Sequence, residues 1–102
     1  MGLEQVKGAR MNINVVFTGI MVRLAGQSKL ELILPDSSNL GEAVRLIGEK
    51  FNGKFPPDVW DEQQGTFTQR VKLFVNSADT NDLDQILKNG NELLILIPAF
   101  GG

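Results

Sequence analysis

The sequence predicts an α+β fold in which one main helix packs across a mixed β-sheet. Two observations carry this prediction. Several short segments alternate apolar with other residues, as half-buried strands do, and one longer segment repeats its apolar residues at helical spacing. The length of 102 residues suits one domain with one hydrophobic core. We expect a single domain over residues 11–102, preceded by a flexible arm or a cloning remnant over residues 1–10.

Two predicted strands lie in the first third of the chain. One alternation runs over residues 11–17 and a second over residues 30–34. Pro35 closes the second, because proline has no N–H to donate to a neighbouring strand. About a dozen residues join the two strands, so the simplest connection is an antiparallel hairpin with a loose loop.

The main helix is predicted to follow the second strand. Asn39 can cap it, and Glu42 stands three residues later, which is a capping box with Asn in place of Ser or Thr. Gly53 and the prolines at 56 and 57 mark its end. A single apolar stripe runs along this helix: Leu40, Ala43, Val44, Ile47 and Phe51.

The segment at residues 54–70 reads as a long loop that Trp60 and Phe67 anchor on the domain. A third strand is predicted over residues 71–75, because apolar residues again alternate there. Residues 83–87 indicate a short helical turn.

The last predicted strand is the unbroken apolar run at residues 93–97. Such a run indicates a strand buried on both faces or central in its sheet. The predicted order is therefore strand, strand, helix, strand, turn, strand, which is the order of the β-grasp, or ubiquitin-like, fold.

Composition excludes several classes of function. Ten basic and twelve acidic residues are interleaved, whereas nucleic-acid binding needs a concentrated basic face. Without any Cys or His, the chain offers no thiolate or imidazole catalyst, disulfide or thiolate zinc site. Asp79, Asp82 and Asp84 lack the spacing of a calcium-binding loop, so no metal site is predicted. The chain is poorly equipped to be a stand-alone enzyme.

A cytoplasmic location is the expectation. No apolar run approaches the roughly 18 residues that span a bilayer, and residues 1–10 lack the apolar stretch of a secretory signal.

The candidate site is the tail that follows the last strand. Counted from Pro98, its five residues extend at most about 17 Å, enough to bring a C-terminal carboxylate into the active site of another protein. Gly101 and Gly102 suit a narrow channel because they lack a Cβ. Adenylation would activate the carboxylate of Gly102, and sulfur could then replace one oxygen to give a thiocarboxylate. Pro98, Ala99, Phe100 and Gly101 would thread into the partner. A Gly-Gly ending also arises by chance in about one chain in 200.

From about Met11 to Gly102, the chain resembles the sulfur-carrier family of ThiS and MoaD proteins, and within it the MoaD-like small subunits of molybdopterin synthase. The stretches that carry the resemblance are residues 15–19, 24–26, 30–32, 40–44, 74–76, 87–93 and 97–102.

The resemblance implies a specific chemistry. A ubiquitin-activating-type enzyme would adenylate Gly102 with ATP and Mg²⁺, and a sulfur donor would convert the adenylate to a thiocarboxylate. The large subunit of molybdopterin synthase would then take the tail and its sulfur. The chain itself would bind no cofactor, nucleic acid or membrane, and would act as the non-catalytic, sulfur-carrying subunit. Docking through the exposed sheet face beside the tail is also implied.

Two features depart from the pattern of the family. Phe100 stands where molybdopterin-type tails usually have a small residue, and residues 54–70 are longer than in thiamin-pathway carriers, which favours the molybdopterin branch. Three alternatives stay open: a carrier for thiamin or another pathway, a protein modifier that forms isopeptide bonds through Gly102, and an interaction module whose glycines are inert.

Overall fold

The structure is a computed structural model and describes residues 9–98. Its elements, in chain order, are β1 (Arg10–Phe17), α1 (Ile20–Ala25), β2 (Lys29–Pro35), α2 (Leu40–Lys50), β3 (Trp60–Asp61), β4 (Thr66–Phe67), β5 (Lys72–Val75), β6 (Ala78–Thr80) and β7 (Glu92–Leu96). The predicted α+β class is confirmed. β1 begins one residue before the predicted domain start at Met11, and an arm over residues 1–8 stays a prediction.

Five strands form one mixed sheet in the order β2-β1-β7-β5-β6. β1 is antiparallel to β2 and parallel to β7, while β5 is antiparallel to both β7 and β6. The central place predicted for the last strand is therefore confirmed. Alternate residues of β7 are buried, and Leu94 and Leu96 between them are only half-buried. One face of the sheet packs on the core, and the predicted β-grasp arrangement is confirmed.

The capping box predicted for α2 is present. The Asn39 side-chain oxygen accepts from the Glu42 backbone N–H at 2.8 Å, and the Glu42 carboxylate accepts from the Asn39 N–H at 2.8 Å. Every residue of the predicted apolar stripe is buried. The helix ends at Lys50, before the predicted stop at Gly53, and Phe51 follows as its C-cap.

The prediction of a loose loop between the first two strands was wrong, because this connection contains α1. Gly19 turns the chain at a positive φ of 58°, and Gly26 ends the helix with its N–H bonded to the Val22 carbonyl. Met21 and Ala25 face the core and are buried. A helix of six residues shows too little periodicity for the sequence to reveal it.

The segment between β5 and β7 also differs from expectation. Asn76 and Ser77 have φ values of 50° and 73° and form a two-residue hairpin turn, which adds the edge strand β6 that was not predicted. Where a helical turn was predicted at residues 83–87, the chain makes one turn closed by a hydrogen bond from the Gln85 N–H to the Asp82 carbonyl at 3.1 Å. Ile86 then pairs with Asn39 in an isolated antiparallel bridge. Leu87 is buried, so packing rather than helix formation fixes this segment.

Residues 54–70 carry a small ribbon instead of a plain loop. Trp60 pairs with Phe67 across β3 and β4, and their rings meet edge to face with centroids 5.1 Å apart. The predicted anchoring role of both residues is confirmed. Gly48 of α2 allows the contact, since a Cβ there would lie 2.3 Å from Cζ2 of Trp60. Neither helix within residues 9–98 is long and apolar enough to cross a membrane.

Candidate functional site

The central strand β7 leads the chain to the candidate tail. After β7 ends at Leu96, Ile97 is buried and Pro98 is half-buried. Of the five predicted site residues, the structure places Pro98. Ala99, Phe100, Gly101 and Gly102 lie outside the described residues, so their roles stay predictions.

An apolar patch occupies the sheet face turned away from α2. Its four residues are half-buried, and their neighbours in each strand point to the opposite face and are buried in the core. In the sheet register Leu94 lies opposite Val16 on one side and Phe74 on the other. Leu96 stands two residues further along β7, just before Pro98. The apolar patch is Val16, Phe74, Leu94 and Leu96.

Charged side chains border the apolar patch. Lys29 lies opposite Val16, Lys72 lies opposite Leu96, and Asp79 lies opposite Phe74. On the β2 side, a depression of about 490 Å³ adjoins the patch, and Glu31 and Glu92 are among its lining residues. An apolar centre with a polar rim is the composition of protein–protein interfaces. The arrangement can bind a partner through this face.

Within residues 9–98, no cluster of three or more carboxylate, thiol or imidazole groups could hold a metal ion. Every buried side-chain nitrogen or oxygen in this part of the chain has a hydrogen-bond partner. Ser38, for example, donates from Oγ to the Pro35 carbonyl at 2.7 Å. Asp82 accepts from the Asp84 N–H at 3.0 Å, so its carboxylate stabilises a local turn. Residues 9–98 thus offer a binding surface beside the tail.

The four patch residues were missed individually by sequence reasoning, which reached the sheet face only through the family resemblance. A signal was present. Val16, Phe74, Leu94 and Leu96 are apolar at the positions where a strand with one solvated face should carry polar residues.

No protein-family model matches the sequence, and no curated protein matches it significantly. Several solved structures are similar. Small archaeal modifier protein 1 from Haloferax volcanii is 15% identical, with a TM-score of 0.75, over 89% of this chain and 99% of that chain. A putative molybdopterin converting factor subunit 1 from Pyrococcus furiosus is 23% identical, with a TM-score of 0.68, over 86% of this chain and 98% of that chain. Urm1 from Trypanosoma brucei is 25% identical, with a TM-score of 0.71, over 91% of this chain and 97% of that chain.

These similarities show the β-grasp fold of the chain over nearly the whole length of each neighbour. The neighbours are small ubiquitin-fold proteins of the ThiS and MoaD type, in agreement with the resemblance found in the sequence.

Proposed function

We propose that this β-grasp chain is a ubiquitin-like sulfur carrier that works through the carboxylate of Gly102. The observation that carries the proposal is the placement of the apolar patch, which ends at Leu96, two residues before Pro98, on the strand that leads into the Gly-Gly tail. A partner that binds this face would find the tail at the edge of its own contact surface. The tail would then extend up to about 17 Å into the partner.

The chemistry of the chain determines which reaction steps its partners must catalyse. The carboxylate of Gly102 attacks the α-phosphate of ATP in the active site of an adenylating enzyme that also holds Mg²⁺, and pyrophosphate leaves. A donor that supplies sulfur at the sulfide level then attacks the acyl carbon, where a C–S bond replaces the C–O bond to AMP, so that AMP leaves and a thiocarboxylate remains. Neither step needs a side chain from the carrier, which fits a chain without Cys or His.

The recipient that we propose is a large molybdopterin synthase subunit, with this chain as the MoaD-like small subunit. Supporting this choice, the resemblance in the sequence is greatest to MoaD-like proteins, and one of the similar structures is named as a putative molybdopterin converting factor subunit. In this assembly the apolar patch docks on the large subunit while Gly101 and Gly102 occupy its active-site channel.

A second candidate function is protein modification through an isopeptide bond between Gly102 and a lysine. The observation that favours it is that another similar structure is a small archaeal modifier protein. Both functions share the adenylation step, so the same domain surface and the same tail serve either one.

The test is the intact mass of the chain after incubation with ATP, Mg²⁺, a sulfur donor and candidate adenylating enzymes. The mass change for one sulfur in place of one oxygen, located at Gly102 by fragmentation, supports the carrier. Covalent adducts with other proteins support the modifier. An unchanged mass with every adenylating enzyme of the source organism contradicts both.

Two variants test the role of the patch in this experiment. Leu94→Asp places a charge in the centre of the apolar patch, and Ile86→Asp places the same charge on an exposed apolar residue outside it. We expect Leu94→Asp to lose the modification and Ile86→Asp to keep it. Equal loss in both variants would contradict a specific role of the patch.

A further inference from the structure

Three large apolar side chains of residues 9–98 are exposed, and they lie at two different ends of the sheet. Ile20 is 48% exposed, and Ile33 and Ile86 are each 55% exposed. Ile33 lies opposite Asn12 near the start of β1, and Ile86 pairs with Asn39, which follows the end of β2 at that same end. Ile20 follows β1 at the other end, where the parallel strand β7 also finishes. Of the three, Ile20 is therefore the one at the end where the tail begins.

α1 holds Ile20 beside the last strand. The Thr18 N–H donates to the Ile95 carbonyl at 3.3 Å, which extends the parallel pairing of β1 and β7 up to the turn at Gly19. Cα atoms of α1 lie within 8 Å of Cα atoms of β7. Ile20 comes two residues after Thr18, and Pro98 comes three residues after Ile95. The start of α1 and the base of the tail are thus neighbours.

One side of α1 packs on the core, and a second side is open to a partner. Met21 and Ala25 are buried. Ile20, Arg23 and Leu24 stand at i, i+3 and i+4, so they share the second side. Ile20 and Arg23 are exposed, and Leu24 is half-buried. These three residues form the α1 face, an apolar pair beside one positive charge.

The length of the tail limits where a partner can bind. Four residues follow Pro98, so the carboxylate of Gly102 reaches at most about 14 Å from it. A standard protein–protein interface covers about 800 Å² of each partner, which is a disc of about 16 Å radius. α1 is about 9 Å long, so a partner that takes the carboxylate covers the α1 face. Ile33 lies outside, because Asn12 opposite it is about 17 Å along β1 from Phe17.

The end of the tail offers an enzyme little by which to select this chain. Gly101 and Gly102 have no side chain, so a channel built for two glycines accepts them from any carrier. Selection must therefore come from side chains of the domain near the base of the tail. The ion pair found within residues 9–98 joins Arg70 to Asp58, so no carboxylate in this range pairs with Arg23. An acidic group on the partner complements Arg23, and a basic group there is repelled.

We propose that the α1 face is the contact by which the adenylating enzyme selects this chain. The enzyme presents an apolar depression to Ile20 and Leu24, and a carboxylate to Arg23, at the entrance of the channel that takes the tail. The contact strengthens binding of the chain and does not take part in the adenylation chemistry. This role rests on the proposed function, and it extends the interface from the apolar patch around the end of the sheet.

The experiment measures ATP–pyrophosphate exchange by the cognate adenylating enzyme at increasing concentrations of the full chain. Ile20→Asp should raise the KM for the chain about 10- to 30-fold and leave kcat unchanged. Ile33→Asp is the matched control, since it places the same charge on a side chain of similar exposure at the far end, and it should keep the KM. Arg23→Glu should also raise the KM, by a factor that falls as salt is added, because salt screens exposed charges.

Melting temperatures of the variants show whether the fold is intact, and we expect them to match that of the unmodified chain because the substituted side chains are exposed. If Ile20→Asp lowers the melting temperature, the decision rests on Arg23→Glu.

Several outcomes would overturn the proposal. An unchanged KM in Ile20→Asp and Arg23→Glu, with exchange intact, would show that the α1 face is not a contact and would leave the proposed function standing. An equal rise in Ile33→Asp would show a general effect of added charge. A lower kcat at constant KM would show an effect on the chemistry in place of selection. Absence of exchange with the unmodified chain would count against the proposed function itself, and the role of the α1 face would fall with it.

Discussion

Gly48→Ala tests how the ribbon at residues 54–70 is held on the main helix. In an exposed helix, replacing Gly by Ala adds about 1 kcal/mol to the free energy of unfolding. At Gly48 the new Cβ would lie 2.3 Å from Cζ2 and 2.4 Å from Cη2 of Trp60. Carbon atoms pack at about 3.5–4.0 Å, so the indole must move by more than about 1 Å.

Several contacts oppose this movement of the half-buried indole. It meets the Phe67 ring edge to face and lies 6.4 Å from the Phe55 ring centroid, and its backbone pairs with Phe67 in the ribbon. Overpacking of this kind lowers the free energy of unfolding by about 1–3 kcal/mol. Because the gain in helix propensity offsets about 1 kcal/mol of this, we expect the free energy of unfolding to fall by up to about 2 kcal/mol in total.

A double-mutant cycle isolates the contact. Urea unfolding followed by circular dichroism compares Gly48→Ala in the natural sequence and in a Trp60→Ala background, where the Cβ has space. The substitution should stabilise the chain by about 1 kcal/mol in that background alone. Trp60 is the sole tryptophan, so its fluorescence should also change in the single variant. Equal stabilisation in both backgrounds with unchanged fluorescence would refute the close packing of Trp60 on Gly48.

Three further changes test the helix cap, the patch and the tail. Asn39→Ala removes the capping box of α2 and should lower the free energy of unfolding by about 1 kcal/mol, measured by urea denaturation; an unchanged value would contradict the cap. Leu94→Asp should weaken binding to the adenylating enzyme about 10- to 100-fold in calorimetry, since burial of a leucine contributes about 1.5–3 kcal/mol. An unaltered affinity would show that the patch is not part of this interface. Deletion of Gly102 should abolish activation without altering the melting temperature, and a large loss of thermal stability would instead mark it as packed structure.

The long periodic elements could be predicted from the sequence. The stripe of α2 and the alternation of β1, β2 and β5 each place several apolar residues on one face, so their burial follows from spacing alone. Asn39 and Glu42 predicted the start of α2, because a capping box depends only on contacts between residues that are close in the sequence. The central place of β7 followed from its continuous apolar run.

The shorter elements could not be predicted, because tertiary packing decides them. α1 has six residues and is held by the burial of Met21 and Ala25. β6 depends on the left-handed turn at Asn76 and Ser77, a conformation that Asn tolerates better than Ser. Residues 83–87 have apolar positions that suit a helix, yet they form a single turn, after which Ile86 pairs with Asn39 instead of continuing a helix.

The candidate site also has one part that could be predicted from the sequence and one part that could not. The Gly-Gly tail is visible in the sequence, and Pro98 stands at the end of the central strand as expected. The apolar patch emerges only when the register sets Val16, Leu94 and Phe74 side by side on three strands.

The central claim is that the carboxylate of Gly102 is activated by an adenylating enzyme. ATP–pyrophosphate exchange measures this step before any sulfur donor or recipient takes part. With the cognate enzyme, we predict exchange that depends on this chain, disappears on deletion of Gly102, and persists in the matched surface variant Ile86→Asp. Exchange of equal rate with and without Gly102 would contradict the claim, as would its absence with every adenylating enzyme of the source organism.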